Sequence, residues 1–301
     1  MTEVFSDAAL VLVGHGSTLN ADSAKPTYQH ADELRRRKIF AQVQETFWKQ
    51  EPYLAQVLRG VFAKRVFIVP LFISEGYFTE EVIPRELGFK VQSGNAGAAD
   101  SPTQNLKLKI QNFPLVESRG AQIFYYCGPV GTHESMTNVL LARAREVAQQ
   151  FPFPREPKPA ETTLFIAGHG TRQNENSRKA IERQVELIRA RNIYAAVHAV
   201  FMEEDPRIAD CYQLAQTKNI VMVPFFISDG LHSYEDIPVM LGEPERTVQE
   251  RFKLGQPTWR NPTEKQGKRL WYSASIGNEP LIAEVILERV QEAIASRHVK
   301  S

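Results

Sequence analysis

Only two cysteines occur in the 301 residues, Cys127 and Cys211, and they stand too far apart to make a metal-binding pair. A disulfide framework and a cysteine-ligated zinc site are therefore excluded, and two reduced, buried thiols are expected. Long apolar runs are missing too. No stretch reaches the roughly 20 residues that a membrane-spanning helix needs. The opening MTEVFSDAALVLVGHGS carries acids where a secretory signal carries bases, and its apolar run, Ala8–Val13, is short. A cytoplasmic protein without a membrane partner is expected. Charge of one sign is scarce: 36 Lys and Arg face 35 Asp and Glu, for a net charge of +1. That excludes the basic footprint of nucleic-acid binding. The nucleophile pattern G-x-S-x-G is also absent, which leaves little support for a hydrolase built on Ser17 or Thr171 beside a histidine.

What the chain has in abundance is itself. VLVGHGSTLNADS at Val11–Ser23 matches FIAGHGTRQNENS at Phe165–Ser177, and VFIVPLFISEGYFTEEVIP at Val66–Pro84 matches IVMVPFFISDGLHSYEDIP at Ile220–Pro238. His15 and His169, Phe47 and Phe201, and Pro84 and Pro238 all stand 154 positions apart, so no insertion separates these landmarks. Near the end of each copy the offset falls to 146, between Gly131 and Gly277. A period of this size marks a duplicated domain. Residues 1–155 and 156–301 are read as the two domains, with the proline-rich Phe151–Glu161 as linker.

Each copy alternates short apolar strands with helical segments, which predicts an α/β fold of two tandem doubly wound parallel sheets. The third strand of each copy, in Val66–Ile73 and Ile220–Ile227, is apolar without alternation, as in a strand covered on both faces. Pro52 and Pro206 are read as opening a helix in its first turn. Closing helices are expected over His133–Gln150 and Glu279–Arg297. The polar stretches Lys90–Gly120 and Glu243–Lys268 show no period and read as loops or flaps over a cleft.

In open parallel sheets, ligands bind beyond the carboxyl ends of the strands. In the second copy those ends carry Gly168-His169-Gly170-Thr171, Met202-Glu203-Glu204, Ser228-Asp229-Gly230-Leu231-His232 and Gly277-Asn278. His169, Glu203 and His232 should therefore meet on one rim. Two imidazoles and a carboxylate can ligate a divalent transition metal, and an imidazole can accept a proton near neutrality. Singly, each has a plainer reading: a hydrogen-bonded strand-end histidine, a tight turn, a helix-start acid. Their convergence, with Glu235 and Asp236 nearby, favours chemistry. The first copy keeps His15 but puts Lys49 opposite Glu203 and Phe78 opposite His232, with Glu75 and Glu81 opposite Asp229 and Glu235. A lysine cation and a phenyl ring cannot replace the lost ligands. That rim reads instead as an apolar wall of Trp48, Tyr77 and Phe78.

The combination of GHG(S/T), F-x-E and VPFFISDGLHSYEDIP resembles the sirohydrochlorin chelatases of the CbiX/SirB type, within the class II tetrapyrrole chelatases. The likeness covers both copies outside the two polar stretches. It implies two chelatase-like domains with a cleft between them, and insertion of Co²⁺, Fe²⁺ or Ni²⁺ into sirohydrochlorin or a related tetrapyrrole on the way to cobalamin or siroheme. No organic cofactor is implied; the metal is a substrate. The family's two histidines correspond to His169 and His232, and its acid to Glu203, as metal ligands and catalytic groups. Thr171, Arg172, Ser228, Asp229, Gly230, His15, Tyr77 and Phe78 are the substrate-binding candidates. Arg246, Arg251 and Arg260 could grip substrate carboxylates, and Tyr234 and Trp259 could flank a flat ring. An internal duplication can stand in for a homodimer, so a monomer is favoured over a dimer. The loss of ligands in the first copy leaves a non-catalytic metal or tetrapyrrole carrier as the alternative.

Overall fold

A computed structural model of the chain describes residues 5–18, 20–90, 113–171, 175–228 and 230–298. The first repeat runs β1 (Phe5–Gly14), α1 (Lys25–Arg37), β2 (Phe40–Phe47), α2 (Leu54–Val57), β3 (Arg65–Pro70), a π turn (Phe78–Val82) continuing into α3 (Ile83–Glu86), β4 (Leu115–Arg119), β5 (Gln122–Tyr126) and α4 (Met136–Gln150). The second runs β6 (Thr162–Gly168), α5 (Glu175–Ala190), β7 (Ala196–Phe201), α6 (Cys211–Leu214), β8 (Asn219–Pro224), a π turn (His232–Asp236) into α7 (Ile237–Met240), α8 (Glu245–Lys253), β9 (Thr263–Lys265), β10 (Lys268–Tyr272) and α9 (Ile282–His298).

Two five-stranded sheets result, in the orders β2-β1-β3-β5-β4 and β7-β6-β8-β10-β9. Four strands of each are parallel, as the apolar runs predict. All seven residues of β6 are buried. The period-2 geometry of a strand divides β1 between two faces: Ala9, Val11 and Val13 join Leu54, Val57, Ile83 and Leu87 in one cluster, which leaves Leu10 and Leu12 for the opposite face. Both cysteines are buried thiols, and burial pushes each up to about 12. No described helix is long and apolar enough to cross a membrane.

Several expectations are corrected. The fifth strand of each sheet, β4 or β9, runs antiparallel to its neighbour. Both lie in the polar stretches read as loops, and both are only partly buried, so neither carries an apolar signature. Residues 91–112 of the first stretch lie outside the described residues. The second stretch also holds α8, a surface helix whose only buried side chain is Val248. Pro52 and Pro206 stand before the short helices α2 and α6, not in their first turns.

The compact units of the structure do not coincide with the two repeats. Two compact units divide the chain as Met1–His133 with Ala283–Ser301, and as Glu134–Ile282. The boundary between residues 155 and 156 is thus a repeat boundary, and the compact units break elsewhere. Each repeat gives its closing helix to the compact unit built on the other repeat. Helix α4 belongs to the second unit, where Thr137 Oγ1 donates to Gln184 Oε1 of α5 at 2.7 Å. Helix α9 belongs to the first, where Arg289 Nη2 donates to Pro129 O at 2.8 Å and Thr132 Oγ1 at 2.7 Å. The proline-rich stretch read as a linker lies inside the second unit, where the indole nitrogen of Trp271 donates to Phe151 O at 2.8 Å.

Candidate metal-transfer site

The sheet register places the site. In the second unit Gly168 pairs with Phe201, and Ala167 with Pro224, so β7, β6 and β8 end level. Backbone bonds continue past that line: Glu203 N donates to His169 O at 3.1 Å, and Phe225 N donates to Ala167 O at 2.7 Å. Main-chain bonding thereby holds His169 and Glu203 side by side. Gly170 takes a positive φ of 62°, and a Cβ there would stand 2.8 Å from Phe201 Cβ. Only glycine lets the turn after His169 lie this close to the buried Phe201. Arg178 and Arg207 shape the loop that carries Glu203. Arg207 Nη1 donates to Met202 O at 2.8 Å, and Arg178 Nη1 reaches Glu204 and Asp205 O, both at 3.1 Å.

Three side chains meet above this floor. His169 Nε2 lies 3.7 Å from Glu203 Oε1. The rings of His169 and His232 stand edge to face, with centroids 5.2 Å apart. His169 Nδ1 lies 3.3 Å from Gly170 O, and the ring's other nitrogen, Nε2, turns toward Glu203. His232 Nδ1 lies 2.6 Å from Asp236 Oδ2. All four side chains are partly exposed, between 36% and 58%. They converge without closing into a cage: among the described residues no group of three His, Cys, Asp or Glu is gathered closely enough to hold a metal ion.

The other expected residues divide. Ser228 and Gly230 lie in the loop leading to His232, where Gly230 O accepts from Ser233 N and Tyr234 N at 3.0 and 3.1 Å. Thr171 follows the glycine turn and is partly buried. Arg172 and Asp229 lie outside the described residues. Trp259 does not flank a ring site, because it is buried at 5% exposure in the core of the second unit against Tyr272. Arg251 is tied to Glu243 at 3.1 Å, and Arg246 to Glu250 at 2.9 Å. Tyr234 pairs with Phe252.

The corresponding rim of the first unit is an aromatic nest. His15 lies 5.4 Å from Trp48, 5.5 Å from Phe78 and 6.5 Å from Phe72, ring centre to ring centre. Trp48 and Phe78 are 4.7 Å apart, and Tyr77 packs on Phe78 at 5.6 Å. Lys49, in the place of Glu203, lays its ammonium 4.7 Å over the Trp48 ring. Phe72 is the member that sequence reading overlooked; its place in an apolar strand end gave no distinguishing signal.

Two doubly wound units, with imidazoles and a carboxylate at the strand ends of one of them, define a chelatase-like protein. SirB of Bacillus subtilis, solved with Fe³⁺, has this fold: TM-score 0.63 at 15% identity, over 97% of both chains. The chain belongs to the CbiX family, whose sequence pattern matches residues 9–147 and again 163–293. It is 42% identical over 288 residues to a probable sirohydrochlorin cobaltochelatase of Halobacterium salinarum, covering 95% of this chain and 91% of that protein. It is also similar to a multi-domain Deinococcus radiodurans protein with structural similarity to chelatases and two additional domains. That likeness has a TM-score of 0.72 at 30% identity over 94% of this chain, which spans 54% of the longer protein.

Proposed function

We propose that this chain, a metal chelatase of the CbiX family, inserts Co²⁺ or Fe²⁺ into sirohydrochlorin or a related tetrapyrrole, with the transfer at the rim of the second unit. The observation that carries the reading is the meeting of His169, Glu203 and His232 from three separate strand ends. Imidazole nitrogens and a carboxylate accept several divalent first-row metals, Ni²⁺ included. An open, partly exposed ligand set suits an ion that must leave again.

Metal entry requires a free-base macrocycle to release two pyrrole protons. In its neutral form His169 can hold the metal through Nε2 and, once the metal has passed to the macrocycle, take up one pyrrole proton there, while Glu203, 3.7 Å away, can hold the metal and take or relay the other proton. His232 is the second ligand. Thr171, Ser228 and Gly230, together with Arg172 and Asp229, are the proposed contacts to the macrocycle. Taken by itself, the first unit's rim offers an aromatic surface of His15, Tyr77 and Phe78 and, among the described residues, no ligand set equivalent to the second.

The test is anaerobic incubation with sirohydrochlorin and Co²⁺ or Fe²⁺, followed by absorbance. Turnover that disappears in His169→Ala and His232→Ala supports the proposal. No rate above the uncatalysed one, or equal rates in wild type and both variants, overturns it. Stoichiometric binding of metal or macrocycle without turnover would instead mark a carrier, the reading that the depleted first rim favours.

A further inference from the structure

We infer that Asp236 is a positioning residue for His232: it fixes the imidazole tautomer and ring orientation that leave Nε2 facing the metal. The metal-facing role rests on the proposed function above; the hydrogen bond itself does not. His232 Nδ1 and Asp236 Oδ2 are 2.6 Å apart, at the two ends of the five-residue π turn. A carboxylate only accepts, so the hydrogen belongs to Nδ1 and the Nε2 lone pair is left outward. A carboxylate behind a ligating imidazole holds its ring and raises its basicity. Stability does not account for the pair, since both side chains are about half exposed and such ion pairs contribute little.

The first unit is an internal control. It has the same π turn, Phe78–Val82, followed by the same Ile-Pro start of a short helix. Both turns are tied to the sheet in the same way: Tyr126 Oη donates to Thr79 O at 2.8 Å, and Tyr272 Oη donates to Ser233 O at 2.9 Å. The first turn has Phe78 where the second has His232, and Val82 where the second has Asp236. The turn therefore forms without the acid, and the acid is missing where the imidazole is missing. Glu81 and Glu235, one residue earlier, are acids in both copies. Asp236 thus belongs with His232 rather than with the turn. Among the described residues, the His232 ring also lies near the rings of His169, at 5.2 Å, and Phe226, at 6.2 Å.

The experiment uses the full chain labelled with ¹⁵N-histidine, with Asp236→Ala and Asp236→Asn variants. Long-range ¹H–¹⁵N correlation reads which ring nitrogen of His232 carries hydrogen, and calorimetry with Co²⁺ alone reads affinity. Wild type should show the Nδ1–H form. Asp236→Ala should shift His232 toward Nε2–H and weaken Co²⁺ binding by about 10- to 100-fold. Asp236→Asn, whose amide oxygen still accepts, should restore most of both. An unchanged tautomer and affinity in Asp236→Ala overturns the inference, and so does an Asp236→Asn variant no better than Asp236→Ala with the fold intact by circular dichroism. His232→Ala separates the two proposals. If it leaves Co²⁺ binding untouched, the ligand reading fails; if it abolishes binding while Asp236→Ala does not weaken it, only the positioning role fails.

Discussion

Tyr272 reaches from the end of β10 to the π turn and donates its hydroxyl hydrogen to Ser233 O at 2.9 Å. This one bond ties the residue next to His232 to the rigid sheet. Tyr126 makes the matching bond to Thr79 O in the first unit, and burial holds its phenol well above the ordinary range, so it stays protonated. Replacing either tyrosine by phenylalanine leaves a buried carbonyl without its donor, at a cost of about 1–2 kcal/mol. Denaturant unfolding should show that loss in both variants. Only Tyr272→Phe should also weaken Co²⁺ binding; an equal effect of Tyr126→Phe would contradict the separation of the two rims.

Gly277 sits where the end of the fourth parallel strand of its sheet meets the loop after β8. A Cβ there would lie 1.5 Å from Ile227 O, and no rotation removes a clash with main chain. Gly277→Ala should destabilise the protein by more than about 3 kcal/mol, within the large-effect tail of single substitutions. Gly255 has open space around it and only its positive φ to lose, so Gly255→Ala should cost about 1 kcal/mol. Chemical denaturation of the pair measures the difference.

Acid should loosen the first unit through Glu292 of α9. Burial alone would raise this carboxyl, but hydrogen bonds from His133, at 3.1 Å, and Arg289, at 2.7 Å, hold it down to about 2 against an ordinary 4.5. A depressed acid stabilises the fold above its unfolded value, and that stability is lost as pH falls through the folded value. Wild type should therefore lose stability between about pH 4.5 and 2, and Glu292→Gln should show a shallower loss across that window. Acid titration followed by circular dichroism gives both curves; identical slopes would refute the assignment.

The first rim should accept a second metal once its missing ligands are supplied. Lys49→Glu together with Phe78→His recreates the second unit's pattern around His15. Calorimetry with Co²⁺ should then show a second, weaker equivalent, weaker because Val82 offers the new histidine no carboxylate. One equivalent in both proteins would mean that the retained backbone does not bring positions 15, 49 and 78 into ligating range.

Much of this arrangement was legible before any coordinates. The constant offset between the copies revealed the duplication, and unbroken apolarity in β3 and β8 revealed strands covered on both faces. Because parallel strands end together, His169, Glu203 and His232 could be placed on one rim from their positions alone. The antiparallel β4 and β9 escaped notice because short, half-exposed edge strands lack a periodic apolar signal. Helix α8 escaped for a related reason, with Val248 as its sole buried side chain. Trp259 was misplaced because composition does not tell an aromatic side chain in a core from one beside a site. The His232–Asp236 pair was visible only as two polar residues four apart, since the π turn that aligns them has no distinctive sequence signal.

The exchanged closing helices matter to anyone who would divide this gene. A cut at the repeat boundary would part each sheet from its own cover: residues 1–155 would carry α4 without the strands it packs on, and residues 156–301 would carry α9 in the same plight. Two half-length polypeptides could regain both cores only by lending each other a helix. The single chain has that mutual loan written into it, so the repeat that lost its ligands still supplies structure to the one that kept them.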